Sequence, residues 1–132
     1  MTYVIDASIA VEYLLRTEVG QRVADILQDA LLVAPELLDV EVLSVMRRAV
    51  LQGRLDEQRA LTSLTDLMAW PIDRIAHKQL VIAAWQYRQN VSAYDAFYVA
   101  TAHLYNATLL TADGPLCRAP NLGIVIHNIR MG

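Results

Sequence analysis

Short runs of β-forming apolar residues recur along this chain, separated by long stretches of helical periodicity, and that alternation leaves few folds open. A hairpin joins antiparallel strands in about two residues, whereas parallel strands need a crossover of about a dozen, usually a helix. Residues 2–5 form the first run and end at Asp6, and residues 9–15 follow with Ile9 and Tyr13 at helical spacing. Residues 19–31 set Val19, Val23, Ile26, Leu27 and Ala30 against Gln21, Arg22, Asp25 and Asp29, which predicts an amphipathic helix.

The alternation continues to the C-terminus. Residues 31–34 make a second apolar run closed by Pro35, and residues 37–51 carry Leu38, Val42, Val45, Met46, Ala49 and Val50 in a helical stripe stopped near Gly53. Residues 56–70 predict another helix, with Asp56 as its cap and Leu61, Leu64, Leu67 and Met68 as its stripe. Residues 71–76 suit a short strand or a connector, and residues 77–87 read as helical through Leu80, Ala83, Ala84 and Tyr87. Residues 92–105 form a helix with Ala93, Phe97, Ala100 and Leu104 on one face; residues 108–111 form a strand halted by Asp113-Gly114-Pro115. Residues 123–126 supply the last strand. The pattern predicts parallel βαβ units: an α/β, three-layer fold whose mostly parallel central sheet of about four or five strands is flanked by helices.

Composition supports a packed core of this kind. Hydrophobic residues are 55% and charged residues 19% of the 132, against averages of about 45–50% and about 25%. A single domain over residues 1–132 would bury about 68% of the unfolded chain's surface. With 5 glycines and 4 prolines and no repeat, disordered and fibrous classes are excluded. No apolar run reaches the roughly 18 residues needed to span a bilayer, because Glu12, Glu36, Asp39 and Glu41 interrupt the longest stretches. The start lacks the basic and apolar regions of a secretory signal and Cys117 is the only cysteine, so a cytoplasmic protein is expected. The net charge of −3 excludes bulk electrostatic attraction to nucleic acid, leaving only local positive charge.

Four acids stand where chemistry could gather. In open parallel sheets, ligands bind beyond the carboxyl ends of the strands. Asp6 follows the first strand directly and Asp113 follows Thr111 after one residue, so both meet one edge if those strands are parallel neighbours. Glu41 lies near the start of the long helix, on the side of Leu38 and Val45, and Asp95 falls in the first turn after Ser92. Each has an ordinary structural use: Asp6 as a helix cap, Asp113-Gly114 as a turn, Ser92 to Asp95 as a capping box, Glu41 as a solvated side chain. Together they pose an electrostatic problem, since two carboxylates about 4 Å apart repel by roughly 4 kcal/mol at an effective dielectric of 20. Such a cluster must take up protons or bind a cation. Oxygen-only donors suit Mg²⁺ or Mn²⁺, whereas zinc would want nitrogen and sulfur ligands at spacings that His77, His103, His127 and Cys117 do not offer.

The start Val-Ile-Asp6-Ala-Ser8-Ile-Ala-Val, Pro35-Glu36 followed by Glu41-Val-Leu-Ser-Val, Ser92-Ala-Tyr-Asp95-Ala-Phe-Tyr-Val-Ala, and Leu110-Thr111-Ala-Asp113 together resemble the PIN-domain family. In particular they resemble the VapC ribonuclease toxins of prokaryotic toxin–antitoxin pairs. The likeness runs in order over nearly the whole chain, with residues 56–87 adding only helical pattern, and the four acidic positions show no departure. It implies a PIN-like fold and a Mg²⁺-dependent endoribonuclease whose Asp6, Glu41, Asp95 and Asp113 line one pocket. There one or two divalent ions would activate a water for in-line attack on a phosphodiester. Asp6 and Asp95 would be direct ligands; Glu41 and Asp113 would bind a second ion or orient water. Ser8 and Thr111 could hydrogen-bond a carboxylate or serve as ordinary helix-start and strand hydroxyls.

The resemblance further implies a homodimer and a cognate VapB-type antitoxin that covers the active site, with RNA as substrate. Arg16, Arg47, Arg48, Arg54, Arg88 and Arg118 are candidate phosphate contacts, equally suited to solvated helix flanks. Tyr94, Tyr98, Trp70 and Trp85 could stack on bases or belong to the core or an interface. Apolar pairs such as Leu14-Leu15, Leu31-Leu32 and Leu37-Leu38 exceed what a small monomer need bury. A haloacid-dehalogenase-type phosphatase would need an acid where Ser8 stands, and a receiver domain would need a late lysine where this chain has only mid-chain Lys78. No glycine-rich phosphate loop is present. A DNA or flap-type nuclease would need insertions for threading a strand, and a PIN-like interaction module without turnover is the remaining alternative.

Overall fold

The computed structural model describes residues 1–119 and 122–130. Among them are five strands: β1 (Thr2–Ile5), β2 (Leu31–Pro35), β3 (Asp73–Ile75), β4 (Thr108–Thr111) and β5 (Ile126–Asn128). They form one sheet in the order β3-β2-β1-β4-β5, with every adjacent pair parallel. The helices between them are α1 (Ala7–Leu14), α2 (Glu18–Leu27), α3 (Leu37–Leu51), α4 (Glu57–Ala69), α5 (Val81–Trp85), α6 (Ala93–Leu104) and α7 (Gly114–Arg118). This is the expected α/β architecture, with the sheet parallel throughout.

Strand order decides where a site can form. The chain leaves β1 toward β2 and β3 on one side, then returns past β2 and β1 to β4 and moves out to β5. Right-handed crossovers put α1 to α4 on one face and α5 to α7 on the other. The direction of winding therefore reverses between β1 and β4, and the crevice beyond their carboxyl ends is the topological switch point. Register aligns the two strands there: Val4 pairs with Leu109 and Ile5 with Leu110, which brings Asp6 level with Thr111.

The helices start where side chains satisfy their first amides. Asp6 accepts from the Ile9 amide, Thr17 from Gly20, Asp56 from Gln58 and Arg59, and Ser92 from Asp95. Their apolar faces meet the sheet, whose central residues Val4, Ile5, Ala34, Leu109 and Leu110 are fully buried beneath Ile9, Leu38, Val42 and Val99. Gly20 allows α1 and α2 to touch, since a Cβ there would stand 2.0 Å from the Glu12 carbonyl oxygen. Arg74 on the edge strand β3 pairs with Asp39 of α3 at 2.8 Å and donates to the Leu67 carbonyl of α4, tying both helices down two residues before Glu41.

Three segments differ from the sequence expectation. The second helix ends at Leu27 rather than at residue 31, because Asp29 turns the chain with φ +62 and Leu31 joins β2. Residues 77–87 break into a 3₁₀ turn (His77–Gln79) and α5: the Leu80 amide bonds three residues back to His77, and i to i+4 pairing begins only at Ala84. The last strand lies at Ile126–Asn128 rather than at residues 123–126, since Gly123 has φ +68 and the pairing with β4 begins at Ile126. The Asp113-Gly114-Pro115 stop also opens α7, whose first turn tolerates Pro115 because that amide has no helical acceptor. No helix among the described residues is long and apolar enough to cross a membrane. Of the apolar pairs, Leu14, Leu37 and Leu38 are buried, Leu15 and Leu32 half-buried, and Leu31 exposed.

Candidate active site

Asp6 sits at the carboxyl end of β1 and is almost fully buried. Its Oδ1 accepts from the Ser8 hydroxyl at 2.6 Å and from the Ile9 amide at 3.1 Å, and its Oδ2 accepts from the Thr111 hydroxyl at 2.5 Å. Ser8 Oγ also accepts from the Ala112 amide at 3.0 Å, and Thr111 Oγ1 accepts from the Asp113 amide at 2.9 Å. The two hydroxyls thus fasten the β4 turn, and with it Asp113, to the end of β1. A carboxylate has about four acceptor directions. Three are taken in Asp6, which leaves one on Oδ2.

Helix geometry brings the other acids to the same edge. Glu41 is half-buried near the start of α3 and accepts from the Tyr98 hydroxyl of α6 at 2.6 Å, so it is not a freely solvated side chain. Asp95 lies half-buried in the first turn of α6, and its amide donates to Ser92 Oγ at 3.1 Å. Asp113 occupies the N-cap position of α7 without a side-chain cap hydrogen bond.

Their electrostatics link all four. Burial pushes the Asp6 carboxyl up to about 6, opposed by hydrogen bonds from Ser8, Thr111 and Ile9 and reinforced by the charge of Asp113. Asp95 is also raised, by burial first and then by Asp113 and Glu41, against its hydrogen bond with Ser92. The Tyr98 phenol is held far above its ordinary value by burial, by its bond to and the charge of Glu41, and by Asp6 and Asp95. Neutral at any working pH, it is a permanent donor.

The set fits a hard divalent cation in its donor chemistry, since every side chain in it offers oxygen. Among the described residues, no three Asp, Glu, His or Cys side chains gather closely enough to cage a metal unaided. Mg²⁺ needs no such cage, because it keeps several waters and takes one or two carboxylates. The histidines lie apart from any such set: His77 packs on Phe97 with ring centroids 5.0 Å apart, and His103 is exposed. A cavity of about 650 Å³ lies elsewhere, between α1, α2 and the end of α4, and none of the four acids lines it.

The structure also sorts the cations and aromatics. Arg118 folds back over Gly114, with Nη1 2.8 Å from where a Cβ would stand. Arg16 follows the far end of α1, and Arg54 follows the far end of α3, where it bonds Gln52. Tyr98 is 1% exposed and cannot stack on a base, which corrects that reading; Trp70 is engaged with Tyr13 at 4.2 Å. Tyr94 and Trp85 remain exposed, the latter under Arg88. Sequence reasoning placed Tyr98 among stacking or core residues and missed its hydroxyl's part in the acid cluster. Its position one helical turn after Asp95 was the available signal.

An all-parallel sheet with coupled acids at its switch point defines an α/β domain whose candidate site lies beyond the carboxyl ends of β1 and β4. The chain belongs to the PIN-domain family, whose model, described as PIN domain, matches residues 3–122. It is 41% identical over 107 residues to Ribonuclease VapC1 of Mycobacterium tuberculosis, covering 80% of each chain. It is 34% identical over 116 residues to Ribonuclease VapC12 of the same organism, covering 88% of this chain and 90% of that one. In fold it is similar to a chain of the crystal structure of VapBC2 from Rickettsia felis bound to a DNA fragment from their promoter. The TM-score is 0.65 at 18% identity, covering 97% of this chain and 98% of that one.

Proposed function

We infer that this protein is a Mg²⁺-dependent endoribonuclease, the toxin of a toxin–antitoxin pair. The observation that carries the reading is the joining of Asp6, Ser8, Thr111 and Asp113 across β1 and β4, with Glu41 and Asp95 electrostatically coupled to them. Relatives named as VapC ribonucleases support the reaction class.

Asp6, through its remaining Oδ2 direction, and Asp95 would hold a divalent cation, Mg²⁺ or Mn²⁺, while Glu41 and Asp113 would hold a second or orient the attacking water. When bound, the cation supplies a water of lowered pKa and neutralises charge at the leaving oxygen. Ser8 and Thr111 keep the Asp6 carboxylate in one orientation, so that little reorganisation is needed when substrate arrives. The raised pKa values of Asp6 and Asp95 reflect burial together with repulsion from Asp113 and, for Asp95, from Glu41, which a cation would relieve. Arg118, folded back over the Gly114 that opens α7, is a candidate to meet a substrate phosphate.

A cognate VapB-type antitoxin is the expected partner, in keeping with the VapBC name of the structural neighbour. A homodimer is the expected assembly, supported by the exposed Val81, Ile82 and Trp85 on α5. Light scattering at micromolar concentration tests the latter, and a clean monomer would count against it. The reaction is tested by 5′-end mapping of bacterial RNA incubated with the pure protein in Mg²⁺, Mn²⁺ or EDTA. Discrete new ends that vanish with EDTA are expected; a complete lack of them would favour a PIN-like interaction module without turnover.

A further inference from the structure

The Tyr98 hydroxyl is a buried polar group that the reaction outlined above does not use. It lies 1% exposed on the inward face of α6, one turn beyond Asp95, and donates to Glu41 Oε1 at 2.6 Å across a sequence separation of 57 residues. Asp95 and Tyr98 therefore share one helix face, while Glu41 comes from α3, anchored on the opposite side of the sheet's edge. Among the described residues, the Tyr98 hydrogen bond links α3 and α6 directly at the acids. Without it, Glu41 would be a half-buried carboxylate on a flexible side chain, repelled by Asp95.

We propose that Tyr98 is a positioning residue for the acid cluster: it ties one oxygen of Glu41 to α6, so that Glu41 and Asp95 present a fixed pair of carboxylates to the cation and substrate. Such outer partners orient a ligating side chain and are worth about 10- to 100-fold in metal affinity when removed. The inference rests on the metal-dependent reading above. Tyr98→Phe is the least invasive probe, because it keeps the ring that fills the core and deletes only the donor.

The test is a four-protein cycle of wild type, Tyr98→Phe, Glu41→Gln and the double variant, each titrated with Mn²⁺ alone by calorimetry. The thermal midpoint in EDTA and RNA-cleavage kinetics are read on the same samples. Tyr98→Phe is expected to weaken Mn²⁺ binding about tenfold and to lower kcat with KM for RNA little changed, while its midpoint in EDTA stays near that of wild type. In the Glu41→Gln background the same deletion is expected to cost nothing further, because Tyr98 acts through that carboxylate. Equal cation affinity in wild type and Tyr98→Phe, or an equal loss in both backgrounds, overturns the inference while the ribonuclease reading stands. A wild type that neither binds Mn²⁺ nor cleaves RNA overturns both. If Tyr98→Phe loses its fold and the double variant keeps it, the unpaired Glu41 carboxylate is the cause and the coupling is supported; loss of fold in both makes Tyr98 a core residue only and overturns it.

Discussion

Replacing Asp6 with Asn should make the cation-free protein more stable at neutral pH, and less distinguishably so as the pH falls. Burial holds the native carboxyl at about 6, against 3.8 for an unperturbed side chain. Between those values the native state binds more protons than the unfolded chain, so stability declines as pH rises through this range and the penalty is complete above about 6. At about 1.4 kcal/mol per pH unit of displacement, the penalty is about 3 kcal/mol. Asn cannot ionise. Its carbonyl oxygen can still accept from Ser8 and Ile9, and its amide can donate to Thr111 Oγ1, which already accepts from Asp113 and can turn its own proton elsewhere. The hydrogen-bond count is nearly preserved and the electrostatic penalty is gone. Urea unfolding in EDTA from pH 4 to pH 7.5 should therefore show the variant gaining on wild type by about 2.4 kcal/mol across that interval, the remainder of the penalty being already present at pH 4. Comparing the two proteins at each pH cancels the contribution of titrating groups that do not interact with Asp6. Adding Mg²⁺ should then stabilise wild type and leave the variant unchanged. A stability difference that stays flat from pH 4 to pH 7.5 would refute the argument that Asp6 is ionised at the expense of the fold.

Further outcomes follow from the same geometry. Asp95→Asn should abolish Mg²⁺-dependent cleavage in the end-mapping assay while leaving RNA affinity within a few-fold by filter binding, since a carboxylate that repels phosphate is not what holds the strand. Ser8→Ala removes one donor from Asp6 and the acceptor of the Ala112 amide, and should lower stability by about 1–3 kcal/mol in urea unfolding, with a larger fall in kcat than in stability-corrected RNA binding. Gly20→Ala has no room, its Cβ standing 2.0 Å from the Glu12 carbonyl oxygen, so α1 and α2 must separate; a loss of about 3 kcal/mol or more is expected, and a loss below about 1 kcal/mol would mean that the pair slides apart freely.

Helical periodicity, with Pro35 before it and Gly53 after it as stops, located the long helix at residues 37–51 with both ends correct, because its stripe of Leu38, Val42 and Met46 faces the core. The same logic failed where neighbours compete. The apolar spacing of residues 77–87 was right about Leu80 and Ala84 as buried positions, but the ladder there is partly i to i+3, which leaves the same faces inward. At the last strand, Ile126–Asn128 carries two polar residues that no β-propensity would select; pairing with β4 selects them. Chemistry was legible wherever a residue's position on its own element sufficed. Asp6 and Asp113 end strands, Asp95 opens a helix, and the oxygen-only donor set argues for a hard cation.

What local sequence cannot encode is which elements become neighbours. Strand order 3-2-1-4-5 sets β1 beside β4, and only then does Asp6 meet Thr111 over a separation of 105 residues and Asp113 reach the same edge. Likewise, whether Tyr98 was a stacking platform, a core residue or a partner for Glu41 depended on how α6 lies against α3. Propensity, periodicity and capping act over a few residues and are written in the chain. The burial that lifts Asp6, and the coupling of four acids into one site, come from the packing of distant segments, because desolvation and charge repulsion depend on neighbours in space.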